Sequence, residues 1–442
     1  MTQLKKKLNL YGLTMIAVGA CIGAGIFTAP GQVVEAVPNH ALALFIWFFG
    51  GLVALTGALT FSELGSMFPG AGGVYVYLRE AYGDLVGFLY GWVSLLVIIT
   101  GAIAALSYLF AEYITIFPFF ENIGKTNLAI MAIVVLTTIN IFGVNIGQWL
   151  ANLFTGFKLL AIAGIVIVGI FYFDASRVDL DFSLSTAPDN LIQAMFVGLI
   201  GVFFSIGGWH NATYLSGEAI NAQKTVPRSL VLGVIIVTVA YIFINFIYMT
   251  LLPLSAIAET ETIAGDALGV VFPAGGQIMA VVISLSVLGS IGIFTMSAPR
   301  IYMEMAKDGI FFKQLAWLHP KFKTPVVAMV LQAAWAILLL VALNSFRELM
   351  AFVTFMDIFS MTLAGISIFV FRIKKKELDR PVKVVWYPVI PLIYAIFSGI
   401  FVISTLFAMP ATSWYGLIIL AIGIPLFFYF KKKNKNDKAG TA

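Results

Sequence analysis

Two glycine-interrupted apolar stretches carry the chemistry this sequence offers. The first is Gly19-Ala20-Cys21-Ile22-Gly23-Ala24-Gly25-Ile26-Phe27, and the second is Phe203-Phe204-Ser205-Ile206-Gly207-Gly208-Trp209. Each lies within an apolar run long enough to cross a bilayer. Gly23 and Gly25 permit backbone angles that a β-carbon forbids. A helix unwound there frees N–H and C=O groups that lipid cannot satisfy, so the break must be buried or line a wet cavity.

The freed groups have opposite signs. Beyond the first break a helix restarts near Gly25, and its first N–H groups carry partial positive charge. The amides of Gly23, Ala24 and Gly25 therefore suit a carboxylate. Before that break, carbonyls such as that of Cys21 suit an ammonium group. In the second stretch the helix ends near Phe204, and its last carbonyls, with those around Gly207, also suit an ammonium. Ser205 adds a hydroxyl. Phe203, Ile206, Gly208, Trp209 and His210 are expected to shape or close the pocket. An α-amino acid has a carboxylate and an amine a few ångströms apart; a polyamine lacks the first and a sugar lacks both. A structural reading of GxG, as a small-residue packing contact, applies to either stretch alone. Two breaks in matching places are the mark of a secondary transporter's substrate site.

Lys158, in Gly156-Phe157-Lys158-Leu159-Leu160, is the basic residue placed deepest in an apolar run. A lysine at mid-bilayer costs about 3 kcal/mol or more, so it must face a partner or a cavity. It has two possible roles. Its ammonium can stand where a sodium ion would bind and tie its helix to the first break, or it can release a proton as the protein changes state. The acids Glu63, Glu112 and Glu304 fall near span ends and read as solvated or paired. No acidic residue is expected to line the site. His40 and His319 read as loop residues and Cys21 as a small packing residue. No metal-ligand spacing, nucleotide loop or catalytic triad is present, so neither cofactor nor metal nor enzymatic activity is expected.

These residues need a membrane scaffold to position them. Of the 442 residues, 61% are hydrophobic and 11% charged, against roughly 25% charge in soluble domains. Apolar runs predict twelve spans, at about 10–36, 40–66, 81–117, 126–146, 148–173, 190–218, 228–252, 275–305, 325–343, 347–372, 385–409 and 412–430. Alternate loops differ sharply in Lys and Arg. One face collects Lys5, Lys6, Lys7, Arg79, Arg228, Arg300, Lys321, Arg372 and the lysines after 430, whereas the other has Lys125, Arg177 and Arg347. The positive-inside rule puts both termini in the cytoplasm. The loop from about 253 to 274, with Glu259, Glu261 and Asp266, then lies outside. The net charge of +5 reflects this loop bias and predicts no nucleic-acid partner. The breaks fall in spans 1 and 6. Spans 1–5 and 6–10 thus form two sets of opposite topology, an inverted repeat. Residues 1–430 read as one transmembrane domain, with repeats at about 10–173 and 190–372 and extra helices at about 385–430. Residues 431–442 read as a basic cytoplasmic tail. Spans 11 and 12 serve packing or dimer contacts, which leaves monomer and homodimer open.

Three stretches resemble the amino acid–polyamine–organocation superfamily. They are Gly19 to Phe27 followed by Pro30-Gly31; the run from Glu63 through Phe68-Pro69-Gly70-Ala71-Gly72-Gly73 to Arg79 and Gly83; and Phe204 through Gly208-Trp209 and Gly217-Glu218 to Val226-Pro227-Arg228. Within it the chain is similar to the bacterial L-amino acid transporter branch, which includes serine/threonine and alanine/serine/cysteine exchangers. The resemblance implies an all-α integral membrane protein of LeuT type in a bacterial cytoplasmic membrane, with alternating access. It implies carboxylate binding at Gly23, Ala24 and Gly25, and amine binding at Cys21, Phe204 and Gly207. Lys158 matches a lysine thought to replace sodium, and Phe294 a side chain that covers substrate. Ile206-Gly207 stands where several relatives have an aromatic–acid pair. The expected function is sodium-independent exchange of neutral L-amino acids. A proton-coupled symporter using Lys158 or His210, a cationic amino acid or polyamine carrier, and a membrane sensor or channel are the alternatives.

Overall fold

The computed structural model describes residues 4–173, 180, 182–184, 187–260, 262–343, 346–408 and 410–439. Arg177, Glu261 and the last three tail residues lie outside them. No strand forms among the described residues; a single parallel bridge joins Leu8 to Ala219. Ten helices there are long and apolar enough to span a membrane, and the bent pair Leu10–Cys21 and Gly25–Ala36 makes an eleventh. Lys125–Ile141, in the place of span 4, is shorter at 17 residues. At ~1.5 Å per residue it reaches roughly 25 Å.

Burial ranks the spans. In Asp84–Ile114 (span 3) and Gly275–Lys307 (span 8), 83% and 72% of the apolar window is buried. The figure is 28% for Val144–Phe171 (span 5) and for Ser413–Asn434 (span 12). The first two are core elements, and the others turn large apolar side chains outward, among them Leu160, Phe171 and Trp414. The first half of span 1 packs between spans 5 and 7, and its second half lies along span 6. Local signals set the ends. Asn9 and Asn39 cap their helices by accepting from the N–H of Gly12 and Leu42 at 2.8 and 3.0 Å. In span 3 the helix widens to a π turn over Ser94–Ile98, where the Thr100 hydroxyl donates to the Leu95 carbonyl.

Two expectations change and one gains detail. The described residues of the loop from about 253 to 274 carry secondary structure. They fold into the short helices Leu254–Glu259 and Ile263–Gly269, which bury Ile257 and Ile263 against the second half of span 1. The last helix does not stop at 430 but runs on as Pro410–Ala439, because Asn434 donates to the carbonyls of Gly309 and Phe311 at 2.8 and 3.1 Å. Arg300 is not a loop cation. It is 1% exposed and grips Glu218 through two bonds of 2.9 and 3.0 Å.

The lysine- and arginine-rich face is closed by such pairs. Glu63 is fully buried and accepts from Arg372 at 2.7 and 2.8 Å and from the Val384 N–H at 2.8 Å. Of the two readings for this acid, paired holds and solvated does not. The main-chain N–H groups of Lys7 and Leu8 donate to the Glu218 carbonyl, so the N-terminal segment is stitched to the end of span 6. Arg79 pairs with Asp308 and, at 2.8 Å, with Glu80. These groups are a fifth to a third exposed, and such pairs contribute about 0–1 kcal/mol. Arg79→Gln is therefore expected to lower stability by no more than about 1 kcal/mol, read as the thermal midpoint of the detergent-purified protein.

Candidate functional site

Both helix breaks exist and face each other. The first helix ends at Cys21 and the next starts at Gly25, with a bend of 47° between them. The Gly23 N–H turns back to the Cys21 carbonyl at 2.8 Å, so of the three amides expected for a carboxylate it is already engaged. The N–H of Gly25 opens the following helix and precedes its first intrahelical bonds. In the second stretch the helix Leu191–Ile206 stops at Gly207, and Asn211–Tyr214 forms one short turn beyond. Gly208 has φ +102°, which favours glycine. Asn211 closes the gap: its N–H and its side-chain amide both donate to the Gly208 carbonyl, at 3.0 and 2.9 Å.

A cavity of about 100 Å³ lies between the breaks. Of the expected site residues, Cys21, Gly23, Ala24, Gly25, Phe203, Phe204, Gly207, Gly208, His210 and Phe294 line it. Ile206 and Trp209 line a neighbouring cavity of about 60 Å³ instead, together with Tyr394 of span 11. Ser205 lies behind the wall. Its hydroxyl donates to the Gly201 carbonyl at 2.8 Å, and its backbone fills the space beside Gly25. It does not present the hydroxyl expected of it.

Lys158 is also outside the cavity wall, and all three of its donors are used. Lys158 is 2% exposed, and its ammonium donates to the carbonyls of Gly19 and Ile22 at 2.9 and 2.6 Å and to Ser290 Oγ at 2.8 Å. It joins span 5 to the unwound part of span 1, as the sequence suggested, and adds span 8. Three oxygens around one cationic group form a partial cage, short of the roughly six oxygens a hard cation takes.

Sequence reasoning missed two residues. The Tyr241 hydroxyl lies at 3.1 Å from the Cys21 carbonyl and 3.2 Å from that of Ser205, bridging the two breaks. It also draws on one of the carbonyls expected for an amine. A tyrosine inside an apolar span gives no sign of this. Asp357, on span 10, lines both cavities, 3.5 Å from His210 Nε2. The rule that singles out Lys158 would have found it. It overturns the expectation that no acid lines the site.

A multi-pass helical membrane protein with two interrupted helices around one internal cavity is the class this architecture defines. The chain belongs to the amino acid permease family, whose model matches residues 8–428, and so to the amino acid–polyamine–organocation superfamily of membrane transporters. It is 32% identical to the serine/threonine exchanger SteT of Bacillus subtilis (strain 168) over 438 residues, covering 97% of this chain and 98% of that one. It is 31% identical to the large neutral amino acids transporter small subunit 2 of Mus musculus, covering 98% and 83%. It is 30% identical to the Asc-type amino acid transporter 1 of Homo sapiens, covering 96% and 82%.

Proposed function

We propose that this protein is a sodium-independent exchanger of neutral L-amino acids that works by alternating access in a bacterial cytoplasmic membrane. The single observation that carries this reading is the pair of helix breaks on one cavity, with donor amides on one side and acceptor carbonyls on the other. The Ala24 and Gly25 amides receive the carboxylate, and the Phe204 and Gly207 carbonyls receive the amine; the Cys21 carbonyl joins them only by giving up the Gly23 N–H or the Tyr241 hydroxyl it now accepts from. Phe203 and Phe294 cover the substrate, and Ile206, Gly208, Trp209 and His210 shape its surroundings. Lys158 replaces a coupling cation, since its ammonium already occupies the partial oxygen cage. Twelve spans in two inverted sets of five, with Lys125–Ile141 as the fourth, fit this scheme. One transmembrane domain over 1–430 with both termini cytoplasmic completes it. The neutral class is supported by the relatives, named for serine/threonine and large neutral amino acids.

The test uses purified protein in liposomes. Vesicles loaded with labelled serine are expected to release it when unlabelled neutral amino acids are added outside, at the same rate with or without sodium and at equal pH. Release into buffer without external amino acid should be far slower. A strict sodium requirement would rule out the cation-replacement role. Net uptake into empty vesicles driven by a pH gradient would favour a proton symporter, and conductance that does not saturate with substrate would favour a channel.

A further inference from the structure

Asp357 is an acid in an apolar wall with too few partners. Its side chain is 19% exposed, and its Oδ1 is buried without a hydrogen bond. Its charge partner among the described residues is His210, whose Nε2 lies at 3.5 Å, beyond ordinary hydrogen-bond length, and the Tyr90, Tyr214 and Tyr394 hydroxyls lie within its electrostatic reach. Leaving a buried acceptor unsatisfied is costly, and more so for a carboxylate.

The place of this acid is specific. The main-chain cradle opens on the larger cavity, and the smaller one lies beyond it, between spans 2, 6, 10 and 11. Five residues border both: Phe203, Gly207, His210, Asp357 and Ile358. Gly207 stands on the wall the two cavities share, and a β-carbon there would approach the Phe203 and Phe204 carbonyls at 3.3 and 3.4 Å. The smaller cavity is otherwise mostly apolar, with Val53, Ala54 and Met361. Its Ser398 hydroxyl is spent on the Tyr394 carbonyl at 2.6 Å, so it does not serve Asp357.

We infer that the smaller cavity receives the substrate's side chain and that Asp357 selects side chains carrying a hydrogen-bond donor: a hydroxyl, a carboxamide or an ammonium. This rests on the exchanger reading, because the head of the substrate must sit in the cradle for its side chain to reach Asp357, which borders both cavities. The donor completes the hydrogen bonding of Asp357. An aliphatic side chain of the same shape leaves the carboxylate buried and bare, and sites of this kind reject the analogue lacking the donor far more strongly than apolar pockets reject an added methylene.

The experiment compares isosteric pairs as competitors for exchange in the same liposomes: threonine against valine, and lysine against norleucine. Wild-type protein is expected to prefer the donor-bearing member of at least one pair by about tenfold or more. A preference in the first pair alone identifies a hydroxyl reader; one in the second identifies an ammonium reader and replaces the neutral class proposed above by a cationic one, with the exchanger kept. In Asp357→Leu the ratio is expected to fall to within about twofold of unity, since discrimination in an apolar pocket is weak. Asp357→Asn, which keeps an acceptor but no charge, should retain more of the threonine ratio than of the lysine ratio. Ratios are internal to each protein, and the wild-type ratios decide the matter if a variant does not fold. Wild-type ratios near one, or unchanged ratios in Asp357→Leu, overturn the inference while leaving the exchanger intact. So do ratios near one with proton-driven uptake lost in Asp357→Asn, which would make Asp357 a proton carrier. Failure of every amino acid to exchange overturns the exchanger reading and this inference together.

Discussion

Replacing Lys158 by alanine is expected to slow amino acid exchange by at least about 100-fold, with the protein still eluting as a folded species from a sizing column. The ammonium makes three hydrogen bonds, at 2.6 to 2.9 Å, to Gly19, Ile22 and Ser290. Hydrogen bonds to charged groups contribute about 1.5–3 kcal/mol each. Loss of only about 2.7 kcal/mol from the conformation that binds substrate already corresponds to a factor of about 100. Alanine removes the charge, leaves the Ile22 carbonyl with only a 3.4 Å contact from Ser286 and a similar one from Ser290, and opens a hole between three spans. The break in span 1 is then free to close up or to twist, and the donors beyond it lose their aim. Lys158→Arg should not rescue. A planar guanidinium fork does not match three oxygens gathered around one point. Exchange at the wild-type rate by Lys158→Ala would end the proposed role. Recovery of the alanine variant by sodium, absent in wild type, would identify the cage as a cation site.

How much of this was legible depends on which physical signal each residue left. The two breaks were readable because glycine pairs inside bilayer-length apolar runs are costly unless the backbone must unwind there. Lys158 was readable because nothing cheap explains a lysine at mid-span. Asp357 obeys the same rule and was equally readable, since it stands as far inside 347–372 as Lys158 does inside 148–173. Glu63 and Arg300 were blurred because sequence puts both near span ends, and only packing decides that Glu63 is fully buried and Arg300 nearly so. Tyr241 left no trace, since its hydroxyl acts through carbonyls that come from two distant segments. The π turn at Ser94–Ile98 is equally silent, because it is a hydrogen-bond register and not a residue pattern. Ser205 misled in the opposite sense. A hydroxyl at a helix break suggests a ligand contact, whereas a helical serine readily bonds the carbonyl four residues back, as this one does.

The meeting of the two breaks gives a second large expected effect. Gly208→Ala should reduce exchange by at least about 30-fold and lower the thermal midpoint. At φ +102° a residue with a β-carbon is strained, by about 1–3 kcal/mol for such backbone regions. The new atom would also lie 2.7 Å from the Ala20 carbonyl oxygen and 3.0 Å from its carbon, both rigid main chain. No side-chain rotation relieves that contact, so the breaks in spans 1 and 6 must separate, and the cavity they enclose changes shape. Even about 2 kcal/mol of separation cost is a factor of about 30. Gly276→Ala is the matched control. It sits in the first turn of the helix Gly275–Ser297, a β-carbon there meets nothing within 4 Å, and alanine is the better helix former. It should leave exchange and the thermal midpoint within error of wild type. If Gly208→Ala behaved like Gly276→Ala, the two broken helices would not be in main-chain contact during transport, and a substrate cradle built from both would lose its basis.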